Sequence, residues 1–382
     1  MKIIQSKIAG FILILFVFQA CKQQEDSKIE NSCNQNIKLT KLLIDSVFCK
    51  SPAFTEKGFF SIAKDSIYYI DYSYSLVSIF DAKGKMLGRK LGKGDGPDES
   101  ENINKYVRLK DGRHFIVHDF IFNIYDNNWI KTHHSKMIDF AENISLKELE
   151  SDPRPDMKAI YEFDWMNFED NGLLQLDSNT ILFPIKTYHP RFNGYQHENY
   201  YKEARIFGKL AINTGKVTSV FGRKSIFYQR GKLYPNFDFF HFTVRRDTTL
   251  VAFAIDPTIY EYVGENLVSG FGCAGKEIKN QKYTSYSNYK EADRNIEKDL
   301  SKRGHYAHLY YDNTKNLLFR SYNRGDHRGG LQIYQGKTLV GDLSVPFHFK
   351  VIGSIKNQYY AEGIKDEINE RLGLYTFLLP KL

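Results

Sequence analysis

Short runs of β-branched and aromatic residues, each entered through a polar turn, recur along most of the chain. Six copies are present, and their turns lie at residues 64–66, 110–112, 177–179, 246–248, 313–316 and 356–357. The runs that follow these turns read IYYI, HFIV, TILF, TLVAFAI, LLFRSY and QYYAEG. Polar turn residues before runs of this composition are typical of β-strands entered through tight turns.

A second element follows five of these runs and reads as a strand, a tight turn and another strand. In four copies the turn carries a glycine, and these copies span residues 79–87, 210–217, 259–267 and 331–339. The copy at residues 124–130 lacks the glycine. Glycine is favoured at such turns because it adopts positive φ without steric cost.

Together the two elements describe one antiparallel sheet of three or four strands, repeated six times. A single sheet of this size cannot bury both of its faces, and a ring of such sheets buries them against one another. We therefore predict an all-β fold, a six-bladed β-propeller, closed by residues 37–44 pairing with residues 374–379. The alternative is a β-sandwich or barrel whose turns are alike only in composition.

Two segments of the sequence predict helices outside the repeat. Residues 289–303 place Ala292, Ile296 and Leu300 four apart among opposite charges, and Gly304 follows as a stop signal. Residues 145–149 predict one short turn of helix. Both should lie on loops at a rim of the propeller, as a short helical insertion.

The N-terminus predicts export. Lys2 and Lys7 precede an apolar run over residues 8–18, which is too short to cross a bilayer as a helix and fits a secretory signal. The sequence FQAC that ends at Cys21 resembles a bacterial lipobox. We predict a signal peptide over residues 1–20, lipidation of Cys21 with palmitate or similar acyl chains, a flexible tether over 21–36 and a propeller over 37–382. The alternative is an ordinary secreted protein cut nearby.

The polar segment after Cys21 bears on where the protein resides. Residues 22–26 (KQQED) resemble the acidic export signals of surface lipoproteins in Bacteroidota. We therefore expect a lipid-anchored protein of the cell outer membrane, either periplasmic or surface-exposed. The membrane is the partner that the lipid implies.

The other cysteines bear on disulfide bonding, and the net charge bears on nucleic-acid binding. Cys33, Cys49 and Cys273 remain after lipidation, and a Cys33–Cys49 disulfide would clip the tether to the first strand, whereas buried or free thiols are the alternative. The formal charge of +8 falls by two when the signal peptide is removed. Because positive and negative residues are interspersed, nucleic-acid binding is not indicated.

Two long aromatic and basic connections, residues 188–201 and 223–242, are the candidate ligand-binding segments. Clustered tyrosine, arginine, histidine and asparagine would suit a sugar, peptide or anionic ligand, and loops carry function more often than framework strands. The candidate contacts are Tyr188, His189, Arg191, Tyr195, His197, Arg230 and Tyr234. The alternative is that these aromatic side chains bury themselves against neighbouring blades.

No motif in the sequence points to a metal or another cofactor. His114 and His118 stand about 13 Å apart on one strand face, too far to share an ion. His305 and His308 would face opposite sides of an extended strand. The acidic loop at residues 92–101 lacks EF-hand spacing and reads as a blade-to-blade turn more readily than as a calcium site.

The glycine-rich loop at residues 92–97 (GKGDGP), which follows a hairpin, resembles the six-bladed propeller lipoproteins of Bacteroidota. Those proteins are related to TolB-like and NHL-like propellers, and many belong to domains of unknown function. The resemblance covers the lipobox and residues 37–382, where it lies in the pattern of the repeats and not in a dense set of motifs. It implies an extracytoplasmic propeller and no known active site.

The sequence leaves two functions open. The first is a binding or scaffolding lipoprotein that uses one face of the propeller for a protein or glycan ligand. The second is a hydrolase or lyase, acting on carbohydrate or another exported substrate in the central channel. The first is favoured because no nucleophile elbow, zinc-protease motif or P-loop is present.

Overall fold

The computed structural model describes residues 29, 31–51, 53–132, 134–164 and 172–380. The predicted signal peptide and Cys21 lie outside the described residues. Within the described residues, every helix is too short or too polar to span a membrane.

Six antiparallel sheets surround a common axis, and strands are numbered here in chain order. The chain enters through β1 (Asn34–Leu39) and β2 (Ile44–Phe48), which join the last two blades. Blade 1 contains β3 (Gly58–Ala63), β4 (Ser66–Asp71), β5 (Leu76–Asp81) and β6 (Met86–Leu91). Blade 2 contains β7 (Lys105–Arg108), β8 (His114–His118), β9 (Ile121–Tyr125) and β10 (Lys136–Met137). The predicted six-bladed propeller is confirmed.

Blade 3 has an innermost strand in two pieces. These pieces, β11 (Glu162–Phe163) and β12 (Leu174–Gln175), pair with opposite ends of β13 (Thr180–Lys186). A two-stranded hairpin, β14 (Tyr188–His189) and β15 (Phe192–Asn193), precedes the outer strands β16 (Phe207–Ala211) and β17 (Val217–Phe221).

The last three blades are more regular. Blade 4 contains β18 (Phe240–Arg245), β19 (Thr248–Phe253), β20 (Ile259–Val263) and β21 (Asn266–Phe271). Blade 5 contains β22 (His305–Asp312), β23 (Leu317–Asn323), β24 (Gly329–Gln335) and β25 (Thr338–Val345), and blade 6 contains β26 (Lys350–Ile355), β27 (Gln358–Asp366) and β28 (Arg371–Phe377). The first strands of blades 4, 5, 6 and 1 contact one another in turn around the axis.

Apolar layers between adjacent blades form the core. Strand β4 shows how alternation builds them: Ile67 and Tyr69 pack towards blade 6, whereas Tyr68 and Ile70 pack towards blade 2. All four are buried. Because successive side chains of a strand point to opposite faces, a run that is apolar at every position suits a sheet covered on both sides.

The predicted turns have the expected places. All six polar turns connect the first and second strands of a blade, and the four glycine turns connect the third and fourth strands. Gly84, Gly215, Gly264 and Gly336 have φ between 60° and 79°, which explains why glycine occupies them. In blade 2, Trp129 takes positive φ (69°) in the copy without glycine.

Ring closure differs in register from the prediction. The closing strand is β2, which pairs with β28 from Ile44↔Phe377 to Phe48↔Gly373. Strand β1 instead runs parallel to β25 of blade 5, so the boundary predicted at residue 36 falls inside β1. The reason is that Leu39, at the end of β1, is buried in the layer between blades 5 and 6.

The disulfide joins Cys33 to Cys273, with Cα atoms 4.9 Å apart. The Cys33–Cys49 bridge that the sequence left open against free thiols is therefore absent, because β1 carries Cys33 to the junction of blades 4 and 5. Cys49 is a buried free thiol, and burial, together with the nearby Asp81 carboxylate, raises its pKa to about 12.

Topology separates two faces of the propeller. Because neighbouring strands of a blade are antiparallel, the first and third turns of each blade lie at one end of its sheet, the hairpin face. The second turns and the blade-to-blade connections lie at the other end, which we call the insertion face. Four long and fully described insertions, residues 138–161, 187–206, 222–239 and 272–304, emerge on the insertion face.

The insertions contain the helices that the structure describes. Both predicted helices are present, as α1 (Leu146–Ser151) and α3 (Tyr289–Lys302), and a short α2 (Glu198–Glu203) lies between them in the chain. Ser145 caps α1 by accepting a hydrogen bond from the Glu148 amide. Three 3-10 turns complete the insertions, at Lys158–Ile160, Ile226–Gln229 and Pro235–Phe237.

Candidate functional site

A cavity of about 510 Å³ opens on the insertion face beside the axis, and we call it the mouth cavity. Its apolar lining residues are Pro235, Phe239, Ile296, Leu300, Ala307, Phe347 and Phe349. Its polar lining residues are Lys186, Asn236, Asp238, His241, Glu297, Ser301, His305, Ser321, Tyr322, Asn323, His348 and Lys350. These residues come from blades 3 to 6 and from α3, and the volume is in the range of small-molecule sites.

The innermost strands supply the central polar groups of this cavity. His241 lies in β18, His305 begins β22 and Lys350 begins β26, and all three are buried. The ring of Phe239 meets both imidazoles edge-on, with centroids 5.7 Å away in each case. The Nδ1 atom of His305 lies 2.9 Å from the Arg303 carbonyl oxygen. The packing therefore fixes the orientation of these side chains.

Helix α3 forms one wall of the mouth cavity and is anchored mainly through one buried carboxylate, Asp299. The side chain of Asn236 donates hydrogen bonds to the Ala292 carbonyl (2.9 Å) and to Asp299 (3.0 Å). The Tyr286 hydroxyl donates to the same carboxylate oxygen at 2.9 Å. Asn288 caps the helix by accepting from the amides that follow it. These contacts fix α3 at the cavity.

A cluster of buried charges lies behind the wall at blade 3. Asp238 pairs with two lysines: the Lys224 Nζ is 2.5 Å from one carboxylate oxygen, and the Lys186 Nζ is 3.8 Å from the other. The Tyr200 hydroxyl donates to Asp238 at 2.9 Å. Asp164, also buried, acts electrostatically on both lysines. Two positive and two negative groups therefore compensate each other.

The pKa values within this charge cluster are shifted by its environment. Burial lowers the pKa of Lys224, and the attraction of Asp238 offsets this only in part. Burial is also the largest single influence on Lys186 and opposes its charge, but Asp238, Asp164 and neighbouring tyrosines together outweigh it and raise the pKa of that lysine. Burial raises the pKa of Tyr200 well above its ordinary value, so this hydroxyl stays protonated as a donor.

A smaller space of about 190 Å³, the axial cavity, continues along the axis. Residues of β3, β12, β18, β22 and β26 line it, and His241 and Lys350 line both cavities. Glu362 faces Lys350 across the β26–β27 ladder and accepts a hydrogen bond from the Phe60 amide of blade 1. Its other carboxylate oxygen is 3.9 Å from the Lys365 Nζ. This carboxylate joins blade 6 to blade 1.

The seven predicted ligand-binding residues lie at separate places in the insertions of blade 3. Tyr188 and His189 form β14, and Arg191 follows in the hairpin turn. Tyr195 and Tyr234 are buried, and the ring of Tyr195 lies 5.4 Å from that of Tyr289 on α3. These contacts match the alternative in which the aromatic side chains pack against neighbouring elements.

The remaining predicted contacts lie on the outer surface of the insertions. Arg191 and His197 line a shallow groove of about 470 Å³, where the Arg191 guanidinium donates to the Ser151 carbonyl at 2.9 Å. Arg230 stacks over the Phe227 ring at 4.4 Å. Among the described residues that line the mouth cavity, none of the seven is present.

Sequence reasoning missed the residues that line the cavities, although a weak signal existed for them. His241, His305 and Lys350 each stand at or next to the start of an innermost strand, directly after a connection from the previous blade. His305 and His308 were expected to face opposite sides. A β-bulge between Tyr306 and His308 breaks the alternation, and the two imidazoles line the mouth and axial cavities respectively.

Metal binding has no support in the described part of the chain, where no group of three histidine, cysteine or acidic side chains is placed to hold an ion. His114, one of the histidines considered above, packs its ring against Trp129 with centroids 3.6 Å apart. Its Nδ1 lies 3.0 Å from the Tyr106 hydroxyl. It is a structural residue of the layer between blades 1 and 2.

Comparison with known proteins identifies the fold. No family model matches the sequence, and no curated protein matches it. The structure is similar to a member of the DUF4221 family from Bacteroides vulgatus, with a TM-score of 0.59 and 11% identity over 88% of this chain and 97% of that chain. It is also similar to a Bacteroides fragilis protein to which export has been ascribed, with a TM-score of 0.54 and 11% identity over 92% of this chain and 99% of that chain. At this identity the likeness is one of fold.

Proposed function

We propose that this protein is a membrane-anchored, extracytoplasmic lipoprotein whose propeller is a binding module for a small ligand in the mouth cavity. The observation that carries the binding role is the cavity itself, which four blades and α3 build together on the face that bears the four long insertions described above. Loops on a rigid scaffold are the usual place for recognition. The outer rims of the same insertions, including the groove at Arg191 and His197, offer a surface for a protein or glycan partner.

The anchoring part of the proposal depends on the N-terminal sequence. A signal of residues 1–20 followed by Cys21 suits lipid attachment, and several acyl chains hold a protein stably on a membrane. The body would then be tied to the outer membrane through the twelve residues from Cys21 to the disulfide at Cys33.

Lipidation is tested by metabolic labelling with palmitate. We expect the wild-type chain to incorporate label and to sediment with membranes, and Cys21→Ser to lose both properties. Cys49→Ser is the matched control, because its thiol is buried in the propeller. Labelling of Cys21→Ser would contradict the proposal, and cleavage by protease added to whole cells distinguishes surface display from a periplasmic location.

Ligand binding is tested by a thermal-shift screen on the chain that starts at residue 22, which keeps every described residue. A ligand that binds only the folded state raises the unfolding temperature. Ser301→Trp on α3 should fill the mouth cavity and abolish the shift, whereas Lys298→Trp on the exposed side of the same helix should keep it. A hit that survives Ser301→Trp would place its site elsewhere.

The alternative function, a hydrolase or lyase in the central channel, has less support. The carboxylate in the axial cavity, Glu362, is engaged by the Phe60 amide and lies near Lys365, contacts that hold neighbouring blades together. Turnover of any bound compound that is lost in Glu362→Gln, with binding retained, would favour the enzyme.

A further inference from the structure

We infer that the mouth cavity takes an uncharged, mainly apolar molecule that forms a hydrogen bond with Ser321. This inference rests on the proposed function and names the ligand class for that site. It departs from the sugar, peptide or anion that the composition of the insertions suggests.

The shape of the wall favours an apolar ligand. Phe239, Phe347 and Phe349 supply aromatic surface, and Ile296 and Leu300 supply the aliphatic side chains of α3. Removing apolar surface of a ligand from water against such a wall is favourable in proportion to the area covered. Most of the affinity would therefore come from contact with these side chains.

The charges near the cavity compensate each other. Lys186 is paired with Asp238 on the wall, and Lys224 and Asp164 behind it carry opposite charges. Lys350 stands directly opposite Glu362 in the β26–β27 ladder. An anionic ligand would leave water without meeting a net positive charge, and burying a charge without a partner is costly. An uncharged ligand avoids this cost.

The polar groups beside Ser321 are already engaged in the fold. The Tyr322 hydroxyl donates to Asp342 at 2.7 Å, and the Asn323 side chain donates to the Leu300 carbonyl at 2.7 Å. Ser321 differs from them: it is 3% exposed, lines the cavity, and its hydroxyl has no hydrogen-bond partner among the described residues. An unpaired buried hydroxyl is unfavourable, and a ligand with one hydrogen-bonding group would satisfy it.

Three probes of the same ring size test this inference: naphthalene, 2-naphthol and 2-naphthoate, with maltose as a neutral sugar. Calorimetric titration at pH 7 into the chain that starts at residue 22 should show 2-naphthol binding at least about tenfold more tightly than 2-naphthoate, and no binding of maltose. Ser321→Ala should weaken 2-naphthol about threefold to tenfold, to the affinity of naphthalene, and should leave naphthalene unchanged.

Two variants control this experiment. Ser301→Trp should abolish binding of all three aromatic probes, and Ser344→Ala, an exposed serine of the same blade, should change none of them. Tighter binding of 2-naphthoate or maltose than of 2-naphthol would overturn the inference and leave the proposed binding role standing, as would equal loss of naphthalene and 2-naphthol affinity in Ser321→Ala. If no probe binds, and the thermal-shift screen gives no hit that Ser301→Trp removes, the inference and the proposed function fail together.

Discussion

Two neighbouring residues of β23 show two ways in which a polar group is buried, one in the layer between blades and one in the wall of the mouth cavity. Arg320 is fully buried in the layer between blades 4 and 5, where its guanidinium donates to Gln332, to the Tyr334 hydroxyl and to two carbonyl oxygens, and it stacks over the Tyr306 ring at 4.0 Å. Ser321, the next residue, lines the mouth cavity without a hydrogen-bond partner among the described residues.

The difference distinguishes polar groups that stabilise the ring from polar groups that remain available to bind a ligand. A polar group that the fold fully pairs contributes specificity and rigidity to the layer. A polar group left unpaired destabilises the protein without ligand, and a hydrogen bond from a bound ligand removes that destabilisation. Sites of this second kind lower stability for the sake of function.

The largest expected effect is loss of the disulfide at the junction of blades 4 and 5. Cys33→Ser removes a cross-link between residues 240 positions apart, and we expect the free energy of unfolding to fall by about 2–5 kcal/mol in urea titrations. Cys49→Ala serves as the control and should keep its sensitivity to reductant. A wild-type unfolding midpoint that reductant leaves unchanged would show that the bridge does not stabilise the layer.

Arg320→Met should have the next largest effect. It removes the donors that satisfy the Pro257 and Cys273 carbonyl oxygens and Gln332, and we expect a loss of about 3 kcal/mol. Arg328→Met, at an exposed ion pair of the same blade, should cost less than about 1 kcal/mol. Equal losses in the two variants would mean that the buried network is no more important than a surface contact.

His114, in the layer between blades 1 and 2, predicts a dependence on pH. Burial, aided by Arg108, lowers its pKa from 6.5 to about 3, so between these values the unfolded chain binds a proton that the folded chain does not. The free energy of unfolding should therefore fall as the pH drops below 6.5, by about 2 kcal/mol at pH 5. His114→Phe keeps a ring against Trp129 and should lose this contribution; parallel pH profiles for the two proteins would refute the assignment.

Ser321→Ala should have the smallest effect, and with the opposite sign. Deleting the unpaired hydroxyl should raise the free energy of unfolding by roughly 0–1 kcal/mol in the absence of ligand. Urea unfolding of this variant beside Ser344→Ala gives the comparison. A loss of more than about 1 kcal/mol would show that the Ser321 hydroxyl is paired in the empty protein and that the contrast with Arg320 is mistaken.

The elements that the sequence predicted well are those whose signals are local. The six polar turns, the glycine hairpins at Gly84 and Gly336 and the helix after Asn288 depend on residues close together in the chain. Turn conformation and helix capping are decided within a few positions, so composition and spacing are enough to find them.

The features that escaped prediction depend on residues far apart in the chain. The partner of Cys33 is 240 residues away, and disulfide connectivity does not follow from spacing. The mouth cavity gathers residues from four blades, and the bulge before His308 changes which face that side chain occupies. The aromatic insertions drew attention by composition, yet Tyr195 and Tyr234 are used for packing.

The position of the disulfide also determines how the molecule would bear tension. A pull on the residues before Cys33 is transmitted directly to Cys273, 240 positions further along the chain, as well as through β1. Strand β2, which closes the ring against β28, follows both the disulfide and β1 in the chain and is therefore shielded from that force. Tension on the N-terminal segment would thus load the disulfide and leave the strand that closes the ring in place.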